Sequence, residues 1–83
     1  MFVDNDCHNI EKYEVFDGCY GTVVGRCQKG AFVTLDNGEE AFAYRFANLR
    51  PGTKVLCTVL RLADESRRKL VSIDSVTCYP VAA

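Results

Sequence analysis

The sequence predicts an all-β fold, a small closed barrel of five strands, and three observations predict it. Apolar and polar residues alternate at a period of two in the runs within Gly30 to Tyr44, Thr53 to Leu62 and Leu70 to Val76, as half-buried strands require. The stretch Val15 to Cys27 is rich in β-formers but punctuated by Gly18, Gly21 and Gly25, and glycines inside a strand mark bulges or corners where a sheet bends sharply. Asp36-Asn37-Gly38 then joins two of the alternating runs as a tight turn, because Asn and Gly tolerate the positive φ such turns need.

Val15 to Cys27 is the bent first strand, and Arg26 to Gly30 is the loop that follows, with Lys29 at its tip. The hairpin Gly30 to Tyr44 supplies strands two and three, and its register decides where the aromatic rings point. With only Asn37 and Gly38 in the loop, Val33 opposes Phe42 and that ring becomes core, since directly opposed residues share a face. With Asp36 added, as a type I turn closed by Gly38 in the left-handed region, Phe32 opposes Phe42 and Tyr44 lies on the same face. Ala31, Val33, Leu35, Ala41 and Ala43 then turn inward. Both registers fit the sequence; the second is favoured, and it places three rings on one outer surface.

After Tyr44, RFANLR spaces Phe46 and Leu49 three apart, which predicts a single helical turn plugging one end of the core. Pro51-Gly52 breaks the chain, and TKVLCTVLRL alternates Val55, Cys57 and Val59 against Lys54, Leu56, Thr58 and Leu60 as strand four. ADESRRK is a charged loop ending in Arg67-Arg68-Lys69, and Leu70 to Val76 is strand five. The tail frays beyond Pro80, with Tyr79 the last residue expected to pack. Five strands, a glycine-bent first strand and a helical turn between strands three and four describe the five-stranded Greek-key barrel called the OB-fold.

A chain of 83 residues bounds the answer to one domain with a modest core. Its division is an acidic arm over residues 1–17, a barrel over 18–79 and a tail over 80–83. No apolar run approaches the roughly 20 residues of a membrane span. No basic segment followed by an apolar core opens the chain, so the sequence reads as a soluble cytoplasmic protein without a secretory signal. Cys7, Cys19, Cys27, Cys57 and Cys78 form an odd, widely spaced set with no C-x-x-C pair, which is neither a zinc nor a redox signature. Cys19, Cys27 and Cys57 read as reduced core or near-core residues. Cys7-His8 lacks the further partners that a metal site or a nucleophile-base pair needs. No metal and no cofactor is expected.

The net charge of −1 hides two regions of opposite sign. Residues 1–17 carry Asp4, Asp6, Glu11, Glu14 and Asp17 against Lys12, for −4, and residues 18–83 carry nine bases against six acids, for +3. Ile10 and Tyr13 in the arm are spaced to anchor one helical turn, with Asp6 or Asn9 as its cap.

The stretch Gly21 to Ile73 resembles the RNA-binding domain of the ribosomal-protein-S1 type. Gly21-Thr22-Val23, Gly30-Ala31-Phe32-Val33-Thr34-Leu35, Glu40-Ala41-Phe42-Ala43-Tyr44, Leu49-Arg50-Pro51-Gly52 and Leu70-Val71-Ser72-Ile73 follow that family's pattern in order. The resemblance implies that nucleic acid lies on strands two and three, touching Phe32 and Tyr44, where tyrosine stands in place of the family's histidine. A tyrosine keeps a stacking ring and a polar tip.

Independently of the resemblance, bases stack on exposed rings while lysine and arginine follow the phosphates. Phe32, Phe42 and Tyr44 supply rings. Arg26 and Lys29 in the first loop and Arg67, Arg68 and Lys69 in the fourth supply charge. The plainer alternative makes Phe42 and Tyr44 core and the arginines a solvated turn. The expected function is therefore binding of RNA or single-stranded nucleic acid. The rival is a protein-interaction module within a larger complex, because the same apolar face suits a protein partner and a pI near 5.7 opposes strong non-specific nucleic-acid binding. No paired carboxylates, nucleophile with base, or phosphate-binding loop points to an enzyme.

Overall fold

The computed structural model describes residues 12–46 and 48–80. Five strands form, β1 (Gly18–Cys27), β2 (Gly30–Leu35), β3 (Glu40–Tyr44), β4 (Lys54–Arg61) and β5 (Lys69–Cys78). They close into a barrel in the order β1-β2-β3-β5-β4, with β4 returning to β1. Every neighbouring pair is antiparallel except β3 and β5, which run parallel over two residue pairs, Ala41↔Lys69 and Phe42↔Leu70.

The hairpin adopts the register in which Phe32 opposes Phe42, Ala31 opposes Ala43 and Val33 opposes Ala41. Its loop carries the reason. The Gly38 N–H donates to the Leu35 carbonyl (2.9 Å) and the Leu35 N–H to the Glu39 carbonyl (2.8 Å), so Asp36, Asn37 and Gly38 all belong to the turn. Gly38 closes it at φ +93°, a conformation open to glycine because it has no Cβ. The Asn37 carboxamide oxygen accepts the Glu39 N–H at 3.0 Å.

With that register, Ala31, Val33, Leu35, Ala41 and Ala43 face inward and join Cys19, Val23, Val55, Cys57, Val59, Val71 and Ile73 in the core. Three of the inward positions are alanines, which lets the strands of a narrow barrel approach closely. Cys19 and Cys57 oppose each other across β1 and β4, and both are free thiols. Burial pushes the Cys57 thiol up to about 12 and Cys19 to about 11, so both stay protonated at neutral pH. Cys27, expected near the core, is exposed at the end of β1.

Other boundaries differ from the sequence-based reading. Strand β1 starts at Gly18, because residues 14–17 form a turn in which the Asp17 N–H donates to the Glu14 carbonyl (3.0 Å) and Phe16 sits at φ +73°. A bulge between Val23 and Gly25 bends β1 and leaves Val24 exposed. No helix is present among the described residues. Across the expected helical turn, within which Ala47 lies outside the described residues, the Leu49 N–H donates to the Phe46 carbonyl (3.2 Å). Phe46 and Leu49 still pack against the core. Tyr79 is exposed rather than packed. No helix among the described residues is long and apolar enough to cross a membrane. The expected helical turn at Ile10 with its Asp6 or Asn9 cap, the Cys7-His8 pair and the tail past Pro80 lie outside the described residues.

Candidate functional site

The outer face of β2 and β3 carries Phe32, Phe42 and Tyr44 in a row. Alternation along each strand puts them opposite the inward alanines and valine, and the hairpin register brings them side by side. The Phe32 and Phe42 rings are tilted by 58° with centroids 5.2 Å apart. Phe42 and Tyr44 meet edge to face, 5.0 Å apart. Both arrangements are ones aromatic pairs prefer. Phe32 and Phe42 are half-buried, and Tyr44 is 51% exposed.

A groove of about 190 Å³ runs along this row, lined by the three rings with Arg61, Arg67, Arg68 and Leu70. The Arg68 guanidinium lies over the Phe32 ring, 5.1 Å from its centroid, a distance at which the ring quadrupole attracts a cation. Glu40 holds the same guanidinium in an ion pair. Arg67 pairs with Asp64 at 3.3 Å. The Asp64 carboxylate also accepts the Ser66 and Arg67 N–H groups, both at 2.9 Å. Hydrogen bonding from the Ser66 backbone, then the Arg67 backbone and guanidinium, holds its carboxyl below the usual range.

Arg61 is a groove residue that alternation alone does not find. Counting by two from Val55, Cys57 and Val59 sends it into the core. A bulge intervenes. Val59 opposes Val71, but the next pair is Arg61↔Leu70, so Leu60 is the extra residue and Arg61 is re-aimed to the outer face. There one guanidinium nitrogen donates to the Arg68 carbonyl (3.1 Å), while its buried Nε has no hydrogen-bond partner.

The remaining expected cations divide. Arg26 and Lys29 are exposed but do not line the groove. They stand at the β1–β2 turn, which meets the Tyr44 end of the row: Gly30 opposes Tyr44, and the Lys29 carbonyl accepts the Arg45 N–H at 2.9 Å. Lys69 is a correction. It is 2% exposed, and its ammonium donates to the Tyr13 carbonyl at 2.5 Å and pairs with Glu39 at 3.3 Å. Buried and doubly engaged, it offers nothing to a phosphate. The loop therefore presents two cations, Arg67 and Arg68, rather than three.

Lys69 anchors the segment that precedes the barrel. The Tyr13 N–H donates to Glu39 (3.0 Å), and its hydroxyl donates to Asp36. That bond, then burial, raises the Tyr13 pKa. Burial pushes the Glu39 carboxyl up, but the Asn37 amide, the Tyr13 N–H and the Lys69 ammonium outweigh it and hold Glu39 below its ordinary range. A depressed carboxyl contributes stability that is complete above its unfolded pKa and is lost as pH falls through the folded value. The difference in melting temperature between the parent and Glu39→Gln should accordingly be full at neutral pH and shrink as the pH falls below the ordinary glutamate range. Thermal melts across this range check it; a constant difference would remove Glu39 from the linkage.

No family model matches the chain, and no curated protein matches it. Solved structures do. The chain is similar to an uncharacterized protein from Methanocaldococcus jannaschii, with 17% identity and a TM-score of 0.64, over 75% of this chain and 93% of that one. It is similar to the alpha subunit of aIF2 from Pyrococcus abyssi, with 27% identity and a TM-score of 0.62, over 75% of this chain. It is similar, too, to GSP13 from Bacillus subtilis, with 27% identity and a TM-score of 0.59, again over 75% of this chain. The match covers 29% of the aIF2 subunit and 55% of GSP13. The first likeness is one of fold alone.

Proposed function

We propose that this chain is a binding module, not an enzyme, that takes RNA or other single-stranded nucleic acid on the outer face of β2 and β3. The observation that carries this is the row Phe32, Phe42 and Tyr44 on the barrel surface beside Arg61, Arg67 and Arg68. Rings offer bases a stacking surface, and guanidinium groups follow the phosphates. The strand order and the position of the row support reading the barrel as a Greek-key OB-fold of the ribosomal-protein-S1 type, a fold that binds oligonucleotides with these strands and with the loops after strands one and four. Likeness to the aIF2 alpha subunit and to GSP13 supports the barrel.

Phe32→Ala tests the proposal. It should weaken binding of a short oligonucleotide by about 1 to 3 kcal/mol. The loss of ring contact with Phe42 should cost stability only about 1 kcal/mol. Fluorescence anisotropy with a labelled oligonucleotide, beside circular dichroism, measures both. Equal binding by parent and variant would move the site elsewhere, and no binding by the parent would end the proposal.

A protein partner is the second reading, favoured by Phe16, a residue 78% exposed on the turn ahead of β1. Salt separates the two, because phosphate contacts release counterions and give a steep dependence of affinity on ionic strength.

A further inference from the structure

The aromatic row has a continuation past Tyr44. A second cleft, of about 300 Å³, is lined by Tyr44, Arg45, Phe46, Leu60, Leu70 and neighbouring β5 residues. Tyr44 and Leu70 line both grooves, so the two adjoin at these side chains. The cleft has a topological cause. Strands β3 and β5 pair only at Ala41↔Lys69 and Phe42↔Leu70, and beyond these pairs no ladder fills the space between them. The β4 bulge leaves Leu60, 45% exposed, in the lining of this cleft.

Arg45, next to Tyr44 in the lining of this cleft, sits at φ +77°, a left-handed conformation in which a long side chain is uncommon and glycine is at home. Its N–H bond to the Lys29 carbonyl holds it there. The side chain is exposed and, unlike Arg67 and Arg68, takes part in no ion pair among the described residues. A polyanion gains most from cations whose charge no carboxylate already balances.

From these observations we infer that a bound single strand continues past Tyr44, with one further base entering the cleft walled by Tyr44, Phe46, Leu60 and Leu70 and the adjoining phosphate held by Arg45. This rests on the nucleic-acid reading above and extends it, by giving the strand a direction across the barrel and a second base subsite. The cleft suits a base because its walls are largely apolar and aromatic, as stacking surfaces are, and because the Arg45 cation is among its lining residues.

The test is the dependence of affinity on strand length, measured by competition anisotropy with oligouridines from a dinucleotide to about eight nucleotides. Parent affinity should rise in a step once the strand spans both grooves. Arg45→Asn removes the charge but keeps a side chain that tolerates positive φ. It should leave dinucleotide binding unchanged, lower affinity for the longest strand about tenfold and flatten its log-log salt slope by about 0.7, the value for one phosphate of a single strand. Arg45→Lys should keep most of the step, and Leu60→Ser should reduce it without changing the salt slope. Equal affinities of Arg45→Asn and parent at every length, or equal losses at every length, would overturn the second subsite while leaving the ring site intact. A parent that binds no oligonucleotide at all would overturn the underlying reading.

Discussion

Gly30→Ala is expected to destabilise the domain by about 3 kcal/mol, near the upper end of what added bulk costs in a packed structure. A Cβ on Gly30 would lie 2.0 Å from the Ala43 carbonyl oxygen and 2.9 Å from both the Ala43 carbonyl carbon and the Tyr44 Cα. All three are backbone atoms, so no side-chain rotation relieves the clash. Strands β2 and β3 must separate at Gly30↔Tyr44, the pair on which the end of the aromatic row depends. The other glycines set the scale. At Gly21 a Cβ meets the Val33 Cγ1 at 2.6 Å and the Thr34 carbonyl oxygen at 3.2 Å; Val33 is buried and stiff at χ1, but the backbone contact is far looser than at Gly30, and the loss should be about 1 to 3 kcal/mol. At Gly18 nothing comes nearer than 3.9 Å, and alanine should fall within about 0.5 kcal/mol of the parent. Urea unfolding of the three variants checks the order. A Gly30→Ala protein as stable as Gly18→Ala would show that the strands have room the structure denies them.

Lys69→Met should cost about 2 to 4 kcal/mol, because it leaves a half-buried carboxylate without its cation and the Tyr13 carbonyl without its donor. Methionine keeps the apolar stem volume, so the loss reports on the ammonium rather than on a cavity. Glu39 retains the Asn37 amide and the Tyr13 N–H, which sets the expectation below that for a carboxylate stripped of every partner. Adding Glu39→Gln to Lys69→Met should restore part of the loss, since no buried charge then remains uncompensated. Arg68→Met is the contrast: its ion pair with Glu40 is exposed, and such pairs contribute about 0 to 1 kcal/mol. If Lys69→Met proves as mild as Arg68→Met, the buried pair is not what holds Tyr13 on the barrel.

Lys69 also shows how a site can be misread from pattern. It shares its alternation with Val71 and Ile73, the inward residues of β5, so its parity pointed to the core. The run Arg67-Arg68-Lys69 instead reads as a solvated basic loop, because lysine is rarely buried unless paired, and its partners are far away in sequence. Glu39 is thirty residues earlier, and Tyr13 lies ahead of the first strand. Arg61 went unread for the converse reason, its parity being overruled by a bulge that only the pairing of β4 with β5 creates.

Alternation by itself determined the inward faces of β2, β4 and β5, because a period of two and a single core leave one face for Val33, Leu35, Val55, Val59, Val71 and Ile73. It also placed Phe32 and Phe42 opposite each other once Asp36 was counted into the turn. That choice was open in the sequence, where both loop lengths suit Asp-Asn-Gly, and packing decides it: the observed register buries three alanines between close strands and turns the bulky rings outward. Tertiary structure alone decided where the charges went. Arg61 and Arg68 line the groove of the rings, Lys69 turns away to Glu39, and Arg45 lines the second cleft. Each of these placements depends on which strands meet across the barrel, and the residues that meet are far apart along the chain.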